Sequence, residues 1–299
     1  MERAEIGKLY VVATPIGNLR DVSTRMLQVL SEVDFVLCED TRVTGGLLHR
    51  FEIKAPMFAH HKFNERGAVD DIVTKMLNGS TYALVSDAGT PGICDPGAML
   101  VAAASYAGVD IICVPGVSAV AAALSVSGFD ASEYAFYGFL PKGNQMKKRL
   151  EAVAKSGVSL SVFFESPHRV LDTLTALTDI MPAAQVALCN DLTKKYEKIY
   201  RGTPCQVLDE LKINAKANKG EYVLVVYSPT ELRSASQFYC TSETDLKGEI
   251  STEALLVDIC VKNGVSLKEA VAELHGRSTG LAKREIYSAG EQLKRMELF

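Results

Sequence analysis

The feature that most limits how this chain can fold is a repeated pattern. Short, nearly all-apolar runs are each followed by a turn rich in glycine or proline, and then by a segment of helical period. Leu9–Ala13 (LYVVA), Phe35–Cys38 (FVLC), Tyr82–Ser86 (YALVS) and Ile111–Pro115 (IICVP) are the first such runs. A strand this uniformly apolar must be covered on both faces, which is the condition inside a parallel sheet flanked by helices. Amphipathic helices are expected between them, near Asp21–Ser31, Arg66–Leu77 and Pro96–Tyr106. The alternation predicts a mostly parallel α/β domain.

A second series follows with a different pairing. Tyr134–Leu140, Leu160–Glu165, Gln185–Asp191, Lys198–Arg201 and Tyr222–Tyr227 read as strands, and helices are expected near Gln145–Lys155, Pro167–Ile180 and Pro204–Lys216. The short gap at Leu192–Glu197 predicts a hairpin, and so a mixed sheet. The boundary between the halves is expected near Pro115–Val120, with the next helix as a bridge. Ser228–Lys247 is polar and without period, as a linker is. Beyond it Ser251–Val261, Ser266–Leu274 and Leu281–Arg295 read as helices, and Ser266 with Glu269 forms a capping box. Helices joined by the short turn Gly276–Gly280 have the outline of a helix-turn-helix unit, and spacing alone fits a plain helical cap equally well. The expected domains are 1–117, 118–230 and 245–299.

Composition narrows the function classes. With 32 basic and 36 acidic residues the net charge is −4, so the chain does not coat nucleic acid by bulk charge, although a local basic groove stays open to it. Seven cysteines are scattered singly among 299 residues, with no CxxC, which argues against a disulfide framework and against a zinc site. No metal is expected. No apolar run reaches membrane-spanning length, and the first residues lack the apolar core of a signal peptide. The expectation is a soluble cytoplasmic protein.

Chemistry concentrates where the strands end. Thr14-Pro15-Ile16-Gly17-Asn18, Ser86–Gly97 (SDAGTPGICDPG) and Gly116-Val117-Ser118 each follow a strand, at the carboxyl edge where open α/β sheets bind ligands. Glycine there lets backbone groups approach a ligand closely. There is no GxxxxGK[ST], and no GxGxxG follows a strand, so neither a P-loop nor the usual dinucleotide fingerprint is present. The pattern points to a nucleoside-like ligand held without a phosphate cradle.

TPIGN at Thr14–Asn18, EDTR at Glu39–Arg42, SDAGTPGICDPG at Ser86–Gly97, PGVSA at Pro115–Ala119, FFESPHR at Phe163–Arg169 and KGEYVLVV at Lys219–Val226 stand in order along the chain. Together they resemble the 16S ribosomal RNA 2′-O-ribose methyltransferase I family, a branch of the tetrapyrrole methylase superfamily. The resemblance runs from Leu9 to the last helix. It implies two α/β domains of the tetrapyrrole methylase type with S-adenosylmethionine in the cleft between them, plus a small C-terminal helical domain. It also implies a homodimer, and methylation of the ribose 2′-hydroxyl of a decoding-centre cytidine in 16S rRNA or the small ribosomal subunit. Neither a membrane nor DNA is an expected partner. In relatives acting on tetrapyrroles the central loop holds Gly-Asp-Pro, where this chain has Gly89-Thr90-Pro91. That departure argues against a porphyrin-type substrate and leaves Asp87 as the neighbouring carboxylate.

By the resemblance, the cofactor residues are Thr14, Pro15, Asp87, Ala88, Gly89, Thr90, Ile93, Ser118 and Ala119. Methyl transfer to a hydroxyl needs alignment first and a proton acceptor second. Glu165, His168 and Glu39, with Asp40, are candidates for assisting the proton, and the base itself stays unassigned. Arg42 and Arg169 are expected to position substrate or phosphate, Arg169 beside a helix start that favours anions. A salt bridge to Glu165 is the competing role for Arg169. Lys142, Lys147, Lys148 and Arg149, and Lys194 and Lys195, form two basic groups that could follow RNA phosphates or simply be solvated faces. His60 and His61 belong to a polar loop expected to face substrate. Two other readings stand beside this one: a same-fold methylase of a small metabolite such as a tetrapyrrole, and a non-catalytic RNA-binding protein. The helical extension speaks against the former and the intact glycine loops against the latter.

Overall fold

A computed structural model describes residues 6–60, 65–229, 252–263, 265–276 and 283–295. The linker read at Ser228–Lys247 and the turn Gly276–Gly280 lie almost wholly outside them, as does His61. The chain divides into two compact units, Met1–Tyr239 and Cys240–Phe299.

The first unit opens with a five-stranded sheet. Its elements are β1 (Lys8–Val12), α1 (Thr24–Glu32), β2 (Phe35–Cys38), α2 (Thr41–Arg50), β3 (Met57–Ala59), α3 (Glu65–Leu77), β4 (Tyr82–Leu84), α4 (Ala98–Tyr106) and β5 (Asp110–Val114). The strand order is β3-β2-β4-β1-β5, and every pair is parallel, as expected. Successive residues of a strand face opposite ways, so the apolar runs feed two cores. Val36 and Cys38 point to one face, where Met26, Val29 and Leu30 of α1 and Leu48 of α2 cover them. Leu37 points to the other, with Leu9, Leu84, Met76 of α3 and Leu100 of α4. The Ser23 side chain caps α1 by accepting from the Met26 amide at 3.0 Å, satisfying one of the free donors of the first turn.

Two elements of this sheet are absent from the sequence reading. The helix α2, TRVTGGLLHR, contains two glycines and three β-branched residues, Thr41, Val43 and Thr44, that weaken its helical signal. The strand β3 is three residues on the sheet edge, too short for a period to show.

The second sheet is mixed. It contains β6 (Ala135–Phe139), β7 (Leu160–Glu165), β8 (Gln185–Asn190), β9 (Lys198–Gly202) and β10 (Tyr222–Tyr227), in the order β6-β7-β10-β8-β9. The strands β6 and β7 are parallel; β10 runs antiparallel to β7 and β8, and β8–β9 is the expected hairpin. One face carries α6 (Asn144–Lys155), α7 (Val170–Ile180) and α8 (Pro204–Ile213), which bury Leu150, Leu174, Leu177, Val207 and Leu211 over Phe163, Leu188 and Leu224. The other face is covered by α5 (Ala119–Ser127) through Val120, Ala123 and Leu124. Ile16, from the turn after β1, packs into that same cluster. The carboxyl edge of the first sheet is thereby anchored to the second sheet.

In the second unit α9 (Thr252–Asn263), α10 (Leu267–Gly276) and α11 (Lys283–Arg295) enclose Leu256, Ile259, Ala270, Leu274, Ile286 and Leu293. The capping box is formed as read: Ser266 Oγ accepts from the Glu269 amide at 3.4 Å, and Glu269 Oε2 accepts from the Ser266 amide at 2.9 Å.

Candidate functional site

The turns after β1 and β4 are joined to each other. Thr14 and Gly89 exchange backbone hydrogen bonds, the Thr14 amide donating at 2.8 Å and the Gly89 amide donating back at 3.1 Å. Thr14 Oγ1 donates to the Ser86 carbonyl at 3.1 Å, and Ser86 Oγ donates to the Gly89 carbonyl at 3.2 Å. Both hydroxyls are buried, so the loop is fixed by satisfied polar groups.

The turn after β2 is fastened to the same loop. Asp87 Oδ1 accepts from the Asp40 amide at 3.1 Å. Asp40 in turn caps α2, with Oδ1 accepting from the Arg42 amide at 2.8 Å and Oδ2 from Arg42 Nη2 at 2.6 Å. The Arg42 side-chain and backbone hydrogen bonds hold the Asp40 carboxyl at about 2, well below the usual carboxylate value, and raise the Arg42 pKa. Arg42 is thus tied to Asp40 while most of its surface stays in solvent.

These turns wall a cleft of about 340 Å³. On the first sheet's side it is lined by Pro15, Ile16, Gly17 and Leu19, by Ser86, Asp87 and Ala88, and by Val43, Thr44, Gly46 and Leu47 of α2. On the second sheet's side it is lined by Lys194 and Glu221. Of the expected cofactor residues, Pro15, Asp87 and Ala88 line the cleft, while Thr14 and Gly89 brace the loops that form it. Thr90, Ile93, Ser118 and Ala119 are outside its lining. Ser118 caps α5, accepting from the Ala121 amide at 3.4 Å, and Ile93 is exposed.

Glu165 is not on that lining. Its side chain has no exposed surface, and its carboxylate accepts from the Ser166 amide at 2.8 Å, Thr173 Oγ1 at 2.7 Å and Arg169 Nη2 at 3.3 Å. Arg169 Nη2 also donates to the carbonyls of Leu140 at 2.7 Å and Pro141 at 3.1 Å. The ESPHR segment is therefore a clip: a buried carboxylate holds an arginine that pins the turn leading into α6. The helix α7 starts at Val170, three residues later than read, because Pro167–Arg169 forms a turn. His168 is exposed, and Glu39 is half-buried. Neither lines the cleft.

The basic groups divide in the same way. Lys142, Lys147, Lys148 and Arg149 lie exposed at the start of α6, where Lys147 pairs with Asp179 at 3.4 Å and Arg149 stacks on Tyr137. Lys195 is exposed beside Tyr196. Lys194 instead lies in the cleft, bound to Asp191 at 3.3 Å and Glu221 at 3.1 Å. Burial pulls its pKa down, but the hydrogen bonds and charges of Glu221 and Asp191 outweigh that and hold it above the ordinary lysine value. The turn that presents it is strained: Asp191 and Thr193 have φ of 52° and 67°, a region that costs a β-branched residue on the order of 1–3 kcal/mol. Gly17 faces this turn at φ +157°, and a Cβ there would lie 2.5 Å from Lys194 Cγ. Local spacing gives Glu221 of the KGEYVLVV segment no role, since only the fold brings it into one cleft with Asp87. Among the described residues no three His, Cys, Asp or Glu side chains converge as metal ligands.

Known proteins share this design. The profile of Tetrapyrrole (Corrin/Porphyrin) Methylases matches residues 8–207. A protein of Bacillus subtilis (strain 168) named ribosomal RNA small subunit methyltransferase I is 35% identical over 288 residues, covering 96% of this chain and 95% of that one. Its namesake in Escherichia coli O157:H7 is 38% identical over 274 residues, covering 90% and 91%. Among solved structures, a diphthine synthase aligns with a TM-score of 0.60 at 14% identity over 76% of this chain and 93% of its own. A cobalt precorrin-4 methyltransferase aligns at 0.55 and 20% identity over 76% and 97%. At those identities the structural likeness speaks for the fold alone, whereas the sequence likeness covers nine-tenths or more of the chain. The chain is a methyltransferase of the tetrapyrrole methylase fold and belongs to the ribosomal RNA small subunit methyltransferase I family.

Proposed function

We propose that this enzyme transfers the methyl group of S-adenosylmethionine to the ribose 2′-hydroxyl of a decoding-centre cytidine in 16S rRNA, acting in the cytoplasm as a homodimer. The observation that carries the reading is the cleft in which the clasped Thr14 and Gly89 loops face Lys194 and Glu221. In this reading the α/β halves 1–117 and 118–230 flank the cleft, and the helical part 245–299 is a third domain. When bound, S-adenosylmethionine supplies an electrophilic methyl carbon on sulfur. The residues present suit it. Backbone groups around Pro15 and Ala88 meet the polar ends of a nucleoside, Asp87 offers a carboxylate to a cationic ligand, and Ile16, Val43 and Leu47 give apolar contact.

The protein's part is then mostly alignment, since an in-line displacement gains most from a fixed approach geometry. Asp87 joins two of the walls through the Asp40 amide, so the donor loop and α2 hold one arrangement. The exposed cations at the start of α6 can contact RNA phosphates and make binding salt-dependent. Arg169 and Glu165 act from behind by fixing the turn at Leu140 and Pro141.

The test uses labelled S-adenosylmethionine, small ribosomal subunits that lack the modification, and the variants Asp87→Ala and Ala88→Trp, both at residues that line the cleft. Label should enter 16S rRNA, with cofactor affinity reduced in both variants. Unchanged affinity in both would remove the placement of the cofactor, and label on a tetrapyrrole without label on RNA would remove the substrate.

A further inference from the structure

The reaction needs an acceptor for the hydroxyl proton, and the fold narrows the choice. Glu165 is sealed from solvent and already accepts three hydrogen bonds. Asp40 is held at about 2 by Arg42, which makes it a poor base. His168 and Glu39 do not line the cleft. Two carboxylates do: Asp87 on the donor side and Glu221 on the opposite side, beside Lys194.

Displacement at a methyl carbon requires the nucleophile to approach from the side away from the leaving sulfur. The acceptor of its proton therefore belongs on the wall facing the donor loops, which is where Glu221 stands. Its side chain is 72% exposed, so it is open to a substrate, and one oxygen is held by Lys194 Nζ at 3.1 Å. The surroundings are built around this pair. A Cβ on Gly220 would lie 2.6 Å from Asp191 Oδ2, and a Cβ on Gly17 would lie 2.5 Å from Lys194 Cγ. Thr193 Oγ1 is buried beside Gly17, without a hydrogen-bond partner among the described residues. Both glycines leave room for the side chains that set Lys194 in place.

We propose that Glu221 accepts the proton of the ribose hydroxyl, and that Lys194, fixed by Asp191, is the positioning residue that aims it. This rests on the proposed function above. The ribose oxygen forms its bond to the methyl carbon as the carbon–sulfur bond breaks. The electron pair of that bond stays on sulfur, which becomes a neutral thioether, and the proton passes to Glu221 and then to solvent. The charged groups facing Glu221 are Lys194 and Asp191 on the β8–β9 turn and Asp87 across the cleft.

The experiment compares wild type, Glu221→Gln, Lys194→Met and Lys194→Arg, by methyl transfer to small subunits across pH and by calorimetric binding of S-adenosylmethionine. Glu221→Gln should lower kcat by roughly 10²–10⁴-fold and abolish the acidic limb of the pH profile, with cofactor affinity within about twofold of wild type. Lys194→Met should move that limb to higher pH, and Lys194→Arg should restore it. Retention of the acidic limb in Glu221→Gln overturns the proposal, as does an equal loss of kcat and cofactor binding. Wild type that transfers no methyl to a ribose hydroxyl overturns the proposed function instead, so the two failures are distinct.

Discussion

Replacing Thr173 by valine tests whether ESPHR is a structural clip or part of the chemistry. Thr173 is fully buried on α7, and its hydroxyl donates to Glu165 Oε2 at 2.7 Å. Valine keeps the shape and removes that donor, leaving the carboxylate with the Ser166 amide at 2.8 Å and Arg169 at 3.3 Å. A hydrogen bond to a charged group contributes about 1.5–3 kcal/mol net, and the carboxylate cannot turn to water in compensation. At about 2–4 °C per kcal/mol for a unit of this size, the melting temperature should fall by roughly 3–12 °C. The assay pairs thermal and urea unfolding with methyl transfer well below the transition, where kcat should stay within about twofold of wild type. An unchanged melting temperature refutes the clip. So does unchanged stability with a kcat lower by about 10²-fold, since that places Glu165 in the reaction.

Two further outcomes follow from charge. The folded Asp40 carboxyl lies at about 2, below its unfolded value, so its contribution to stability is complete above about pH 4 and is lost as pH falls toward 2. Asp40→Asn should flatten acid unfolding in that window, and a carboxyl ¹³C titration of Asp40 with a midpoint near 4 would contradict the assignment. Changing Lys142, Lys147, Lys148 and Arg149 to alanine should weaken RNA binding and reduce the salt slope by about one for each lost phosphate contact, without changing kcat at saturation. An unchanged slope would make that surface a solvated face.

Much of the first unit was legible in the sequence because its inner strands β2, β4, β7, β8 and β10 are buried on both faces and therefore written as largely apolar runs, whereas the edge strands β3, β5, β6 and β9 keep exposed residues. Phe35–Cys38, Leu160–Glu165 and Tyr222–Tyr227 fall at the expected residues, and the β8–β9 hairpin lies where the gap at Leu192–Glu197 placed it. What escaped was weak or nonlocal. The helix α2 contains Gly45 and Gly46, and its clearest marker was the N-cap Asp40, read instead as a possible participant in proton transfer. Arg169 looked like an anion contact at a helix start, but its guanidinium turns back to Leu140 and Pro141, which lie 29 and 28 residues earlier. Lys194 was read among phosphate-following lysines. Its place in the cleft depends on Glu221, Asp191 and the absent side chain of Gly17, a combination that local spacing does not express.

The most direct measurement is nucleoside mass spectrometry of 16S rRNA after the purified enzyme has acted on unmodified small subunits with S-adenosylmethionine. One new methyl group is expected, on the ribose of a decoding-centre cytidine, dependent on the residues of the Asp87 and Glu221 cleft. A methyl group on a base alone, or none on the RNA while a tetrapyrrole is methylated, would contradict the proposed function.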